Sequence, residues 1–161
     1  GSELGRRVAA GRADVEAQLL IRLGGVTIRG FADLLLRDAA PPLILDYKSN
    51  RLDGDAPESR MDGYRLQRDL YALGVARATG SEAVETAFVF LEAPDRPVLD
   101  AFDGERLTAA AGRIEALVGE IVRGSYLGGA EALHQPCGAC WACDLLADRI
   151  ERTRAAAGAA A

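Results

Sequence analysis

No stretch of this 161-residue chain approaches the roughly 18 consecutive apolar residues that a membrane span needs. Its start lacks the basic-then-apolar pattern of a signal peptide, which points to the cytoplasm and to no membrane partner. Cysteine is scarce and odd in number, three in all, which argues against a disulfide framework. No internal repeat is present. Positive charge is in deficit, with 19 basic against 24 acidic residues, a net charge of −5 and a pI near 5.0. Phosphate contacts dominate nucleic-acid affinity, so this balance argues against a free-standing nucleic-acid binder unless a larger polypeptide supplies most of the grip. Gly1-Ser2 reads as a cloning scar, which implies a piece cut from something longer. The scarcest residue that matters is lysine: 18 of the basic residues are arginine, and Lys48 stands alone.

What remains, 49% hydrophobic and 27% charged, has the composition of a soluble globular protein. Its length suits one domain, residues 1–161, burying about two thirds of its unfolded surface. Glu3 to Ala13 is polar and weakly helical. Val15 to Leu23 and Val26 to Asp38 read as strands joined by a Gly24-Gly25 turn. Gly30 in mid-strand hints at a bulge or a close backbone approach. Ala39–Pro42 leads to the apolar run Leu43-Ile44-Leu45 of a buried strand that continues through Lys48. Residues Ser49 to Asp62, rich in Asp, Gly, Pro and Ser, read as a mobile loop. Met61 to Thr79 has helical period, with Leu66, Leu70, Leu73 and Ala76 as its apolar stripe and Gly80 as its stop. Val84–Ala93 and Arg96–Phe102 read as two further strands and Gly104–Arg123 as an amphipathic helix. A last helix is expected near Asp144–Arg154. The order predicts an α/β sandwich around one mixed sheet.

Side chains alternate across a strand, so Asp46 and Lys48 emerge on the same face. Lysine is a compact charge and arginine a flat fork, so the two are not interchangeable in a catalytic role. If the strands carrying Asp33 and Asp46 pair as a hairpin, both carboxylates converge at one end of the sheet. Two carboxylates held close form a hard-oxygen site for a divalent cation such as Mg²⁺. A lysine beside that ion can orient or deprotonate water, which is the equipment for phosphodiester hydrolysis. Tyr64, Gln67 and Tyr71, at i, i+3 and i+7, form a polar stripe distinct from the leucines. Such a stripe can contact a nucleic-acid backbone or stack on bases.

Gly30-x-x-Asp33, then Asp46-Tyr47-Lys48, then Tyr64-x-x-Gln67-x-x-x-Tyr71 resembles the PD-(D/E)XK nuclease superfamily. It is most similar to the RecB-like nuclease domain of helicase–nucleases, over about Glu16 to Cys143. The resemblance implies a restriction-endonuclease-like α/β/α sandwich around a mixed five-stranded sheet. It implies a Mg- or Mn-dependent deoxyribonuclease, exonuclease rather than endonuclease, in DNA end processing and recombination repair. DNA, as single strands or ends, would be the substrate, with a helicase domain in the same or a partner chain. By the same resemblance Asp33, Asp46 and the Tyr47 carbonyl would hold the metal. Lys48 would position the water, Gln67 and Tyr71 would guide the strand, and Glu16 would help bind or orient the metal. The rival from another class is a catalytically silent DNA-binding or scaffold domain.

Cys137, Cys140 and Cys143 follow a Cys-x-x-Cys-x-x-Cys spacing, and His134 extends the same step. Some relatives hold a [4Fe–4S] cluster with three C-terminal cysteines and one upstream, and no upstream cysteine is present here. Zinc on His134 and the three cysteines is a chemically sensible alternative, as is no metal at all in segment 134–154.

Overall fold

A computed structural model describes residues 2–123 of the chain. The chain divides into two compact units, Gly1–Gly119 and Glu120–Ala161, and all that follows on the site belongs to the first. The expected Cys137, Cys140, Cys143 and His134 cluster and the last helix lie outside the described residues.

Helix α1 (Glu3–Ala10) precedes a hairpin of β1 (Asp14–Leu23) and β2 (Val26–Leu36). The two-residue turn is Gly24-Gly25, whose φ values of 54° and 79° are those of a left-handed turn that matches strand twist. Strand β3 (Leu43–Lys48), a 3₁₀ turn over Pro57–Tyr64, helix α2 (Arg65–Thr79), strands β4 (Val84–Phe90) and β5 (Val98–Phe102) and helix α3 (Gly104–Val122) complete the order. The sheet runs β1-β2-β3-β4-β5. All neighbours are antiparallel except β3 and β4, which are parallel and joined through α2. These two central strands are covered on both faces: every residue but Tyr47 and Glu85 is buried.

On one face Leu4 of α1 packs against Leu36, Leu43, Leu45, Ala87 and Val89. On the other, Tyr71, Ala72 and Val75 of α2 and Leu107 and Ala110 of α3 pack on Leu19, Leu35 and Ile44. Leu73, Ile114 and Val118 close on Ile21 and Leu23. The result is the expected three-layer α/β/α sandwich on a mixed five-stranded sheet. Gly74 sets how close α2 comes to β1: a Cβ there would lie 3.1 Å from Ile21 Cδ1.

Two sequence expectations change. The stretch after Lys48 is folded rather than free: Leu52, Pro57 and Met61 are buried, and the first and last pack with Phe88 and Phe90. Its polar composition concealed three apolar anchors. In α2 the expected apolar stripe is buried at Leu73 and Ala76 and half-buried at Leu70, but Leu66 in the first turn is 45% exposed, and Tyr71, Ala72 and Val75 widen the buried face.

Candidate active site

Between Val15–Leu34 and Ala17–Ala32, which pair across β1 and β2, Glu16 and Asp33 stand at the same level without a ladder pair. Glu16 is exposed and adopts φ 49°, the left-handed region that a non-glycine residue enters at a cost of about 1–3 kcal/mol. Ala32 and Leu35, three apart, both face the α2 side, whereas Leu34 and Leu36 face α1. The alternation of β2 therefore slips by one residue at Asp33. This kink, and not Gly30, is the irregularity in the strand; Gly30 keeps its pair with Leu19 beside the Tyr71 ring. The last β2–β3 pair is Leu34–Leu45. Beyond it the Asp33 carboxylate takes over from the ladder, its Oδ2 accepting the Tyr47 N–H at 2.6 Å.

Asp46 and Lys48 share the α2 face, as alternation requires, with Ile44 of the core one step behind them. Both are buried, at 4% and 8% exposure. Lys48 Nζ lies 2.7 Å from Asp46 Oδ2. Gln67 closes the pair into a ring: its Oε1 accepts from Lys48 Nζ at 2.6 Å and its Nε2 donates to Asp46 Oδ1 at 3.2 Å. The Tyr71 hydroxyl lies 3.0 Å from the same Oδ1 and 2.6 Å from the Phe31 carbonyl, so its one proton serves either acceptor. It also accepts from Gln67 Nε2 at 2.7 Å. Burial, and then the charge of Asp46, pushes the Tyr71 phenol far above its ordinary value, so the group stays a neutral donor.

The ammonium sits over aromatic faces, with the ring centre of Tyr64 at 4.2 Å and that of Phe88 at 5.2 Å. Tyr64 is anchored in turn, its hydroxyl donating to Asn50 Oδ1 at 2.8 Å. Burial and the Asp46 charge raise its pKa as well. A buried ion pair contributes little net stability, so the presence of this one at a strand end points to use rather than to stabilisation.

The sequence placed Asp46 and Lys48 on one face, and the structure brings Gln67, expected as a strand-guiding residue, into contact with both. It places Tyr71 elsewhere than on a polar surface stripe. The ring is 7% exposed, and its hydroxyl is committed to Asp46, Gln67 and Phe31. Asn50 and Phe88 escaped the sequence reading. Asn50, two residues past Lys48, carried an alternation signal, whereas Phe88 meets Lys48 only through the β3–β4 register.

The donor set suits a hard cation. Asp46 Oδ2 is buried and makes no hydrogen bond; its contact with Lys48 is one of charge and proximity, off the hydrogen-bond axis. Asp33 retains a second oxygen, and carboxylate and carbonyl oxygens are the ligands that Mg²⁺ and Mn²⁺ prefer. Among the described residues no three His, Cys, Asp or Glu side chains converge. A cation here would therefore rest on Asp33, Asp46 and backbone oxygen.

No curated protein sequence matches the chain. An exonuclease candidate from Eubacterium rectale superposes with a TM-score of 0.52 at 17% identity, covering 89% of this chain and 55% of that one. A protein designated SSO0001 superposes with a TM-score of 0.47 at 20% identity, covering 79% of this chain and 57% of that one. The chain therefore spans little more than half the length of either structure. The family profile of the PD-(D/E)XK nuclease superfamily matches residues 2–145. With the mixed sheet and the Asp46–Lys48 strand already in place, that match over most of the chain establishes that it belongs to the PD-(D/E)XK nuclease superfamily.

Proposed function

We propose that this chain hydrolyses DNA phosphodiester bonds in a reaction that requires Mg²⁺ or Mn²⁺. Its setting would be the nuclease domain of a RecB-like helicase–nuclease, taking single strands fed from an end by a helicase partner. The observation that carries the reading is the closed ring of Asp46, Lys48 and Gln67. The ring holds a lysine and a carboxylate oxygen free of hydrogen bonds at the end of one strand.

Asp46, Asp33 and the Tyr47 carbonyl would hold the cation. Bound there, it would polarise the phosphoryl oxygen and lower the pKa of the attacking water. The protein's own groups do the rest. Gln67 and Tyr71 hold Asp46 Oδ1, leaving Oδ2, beside Lys48 Nζ, as the oxygen a cation would take. Lys48, held by Gln67 over the Tyr64 ring, offers its remaining donors to the attacking water and to the charge that develops on the phosphoryl oxygens. Glu16, across the kink from Asp33, would add a third negative charge, after Asp33 and Asp46, to help bind or orient the ion. Tyr64 and Gln67, half-buried at the start of α2, would meet the strand as it enters.

The test is cleavage of labelled single- and double-stranded DNA with Mn²⁺, Mg²⁺ or EDTA, with Lys48→Ala alongside. Cutting that needs metal and disappears in Lys48→Ala is the expected result. Unchanged cutting by the variant would overturn the assignment of the site. Neither cutting nor metal binding would favour the silent scaffold, the reading that the net charge of −5 supports.

A further inference from the structure

Around the first turn of α2 from Gln67, a basin of about 320 Å³ is lined by Asp62, Arg65, Arg68, Arg106 and Arg113. Its four guanidinium groups come from two helices. Arg68 and Arg106 share one carboxylate, Asp100, at 2.7 and 2.5 Å. Arg113 holds the buried Asp69 through both Nε and Nη2, at 2.9 and 2.7 Å. Arg65 is exposed and has no carboxylate within ion-pair distance among the described residues. Asp62, Asp69, Asp100 and Asp103 equal the four guanidinium groups in number, so Arg65, which none of them meets within ion-pair distance, is the cation left to a ligand. Arg68 Nε, buried there, has no acceptor. The first turn of α2 contains no acid, and although the Arg65 N–H is taken by the Asp62 carbonyl of the preceding 3₁₀ turn, the exposed Arg65 side chain adds positive charge there that favours an anion.

We propose that this basin binds a phosphate group of the nucleic-acid strand being cut, the ligand resting on the nuclease reading above. The planar forks of arginine match phosphate oxygens in pairs, which an ammonium does not. Arg65 and Arg68 flank Gln67 on α2, the residue that holds Asp46 and Lys48, and a helix is about 10–12 Å across, which puts the basin beside the candidate site. It supplies the local phosphate footprint that the overall charge of the chain withholds.

The same oxygens occur on free inorganic phosphate, and the experiment separates the two sources. Binding of a labelled single-stranded oligonucleotide is followed by anisotropy in EDTA, where nothing is cut, from about 50 to 200 mM salt. Arg65→Gln should weaken binding several-fold and flatten the slope of log K against log salt by about 0.7 for each phosphate that the variant no longer neutralises. Arg65→Lys should retain most of the slope. Arg106→Gln should act in the same direction; if it lowers the melting temperature, the exposed Arg65 carries the test alone. Unchanged affinity and slope in Arg65→Gln would overturn the proposal. So would inorganic phosphate binding that depends on Arg65 without any effect on the oligonucleotide. Cutting by the wild type with unaltered slopes in Arg65→Gln removes the basin and leaves the nuclease. Arg65-dependent oligonucleotide binding by a chain that never cuts keeps the basin and removes the nuclease.

Discussion

Replacing Lys48 by arginine separates charge from shape. The ammonium fits between Asp46 Oδ2, Gln67 Oε1 and the Tyr64 ring, where a planar fork of the same charge has no room to keep all three. Lys48→Arg should therefore cut more slowly by about 10²-fold or more, the scale of a positioned proton-transfer group. Cleavage rates beside an unchanged melting curve check this. Tyr71→Phe removes one donor from Asp46 Oδ1 and leaves Gln67 in place. Groups that orient a metal ligand in this way are worth about 10–100-fold in metal affinity. Calorimetric Mn²⁺ titration of Tyr71→Phe should show a loss of that size, whereas a purely structural role would leave it unmoved. Glu16→Asn tests the strained position: asparagine tolerates left-handed φ, so the fold should hold while the metal binds more weakly.

Between elements, two ion pairs on α3 decide how the helices hold the sheet. Asp69 on α2 is 3% exposed in its side chain and depends on Arg113 of α3, which is 41% exposed. Arg113→Ala strands a buried carboxylate and should cost about 2–4 kcal/mol, toward the low end for a buried pair because one partner meets solvent. Urea unfolding measures it. Asp100 ties β5 to both helices through Arg68 and Arg106. Burial pushes its carboxyl up, but the Arg106 hydrogen bonds and the charges of Arg68 and Arg106 outweigh it and hold the pKa below the ordinary 3.8. A pKa lower in the folded than in the unfolded chain stabilises fully above the unfolded value. That stabilisation is lost as pH falls through the folded one. The stability gap between wild type and Asp100→Asn should therefore be constant near neutral pH and shrink below about pH 4. A gap that stays constant down to acid unfolding would refute the ion-pair role.

At the scale of the whole molecule, the parallel β3–β4 pair is what makes a site out of strand ends. It brings Phe88 beneath Lys48, and its crossover delivers Gln67 and Tyr71 to Asp46. The long stretch between β3 and α2 forms the wall of the site, because Leu52 and Met61 pack with Phe88 and Phe90 while Asn50 and Tyr64 hold each other. Met61→Ala should loosen that wall and cost about 2–3 kcal/mol, within the range for buried methionine. Its thermal melting reads the stability, and its cleavage rate shows whether Tyr64 still covers Lys48.

Much of this was legible in the chain itself. Period-2 and period-3.6 patterns gave the strand and helix order because burial of one face imposes them locally. A lone lysine two residues from an aspartate pointed to the candidate site because alternation is fixed by backbone geometry, whereas Gln67 and Tyr71 entered through the resemblance and as a polar stripe. Tertiary packing decided the rest. The slip at Asp33 and the left-handed Glu16 arise from two strands meeting, and the burial of Tyr71 from a helix settling on a sheet. The anchoring of Leu52, Pro57 and Met61 depends on partners far along the chain. The arginine basin exists only where α2 and α3 come side by side, for no local pattern records which arginine lacks a carboxylate.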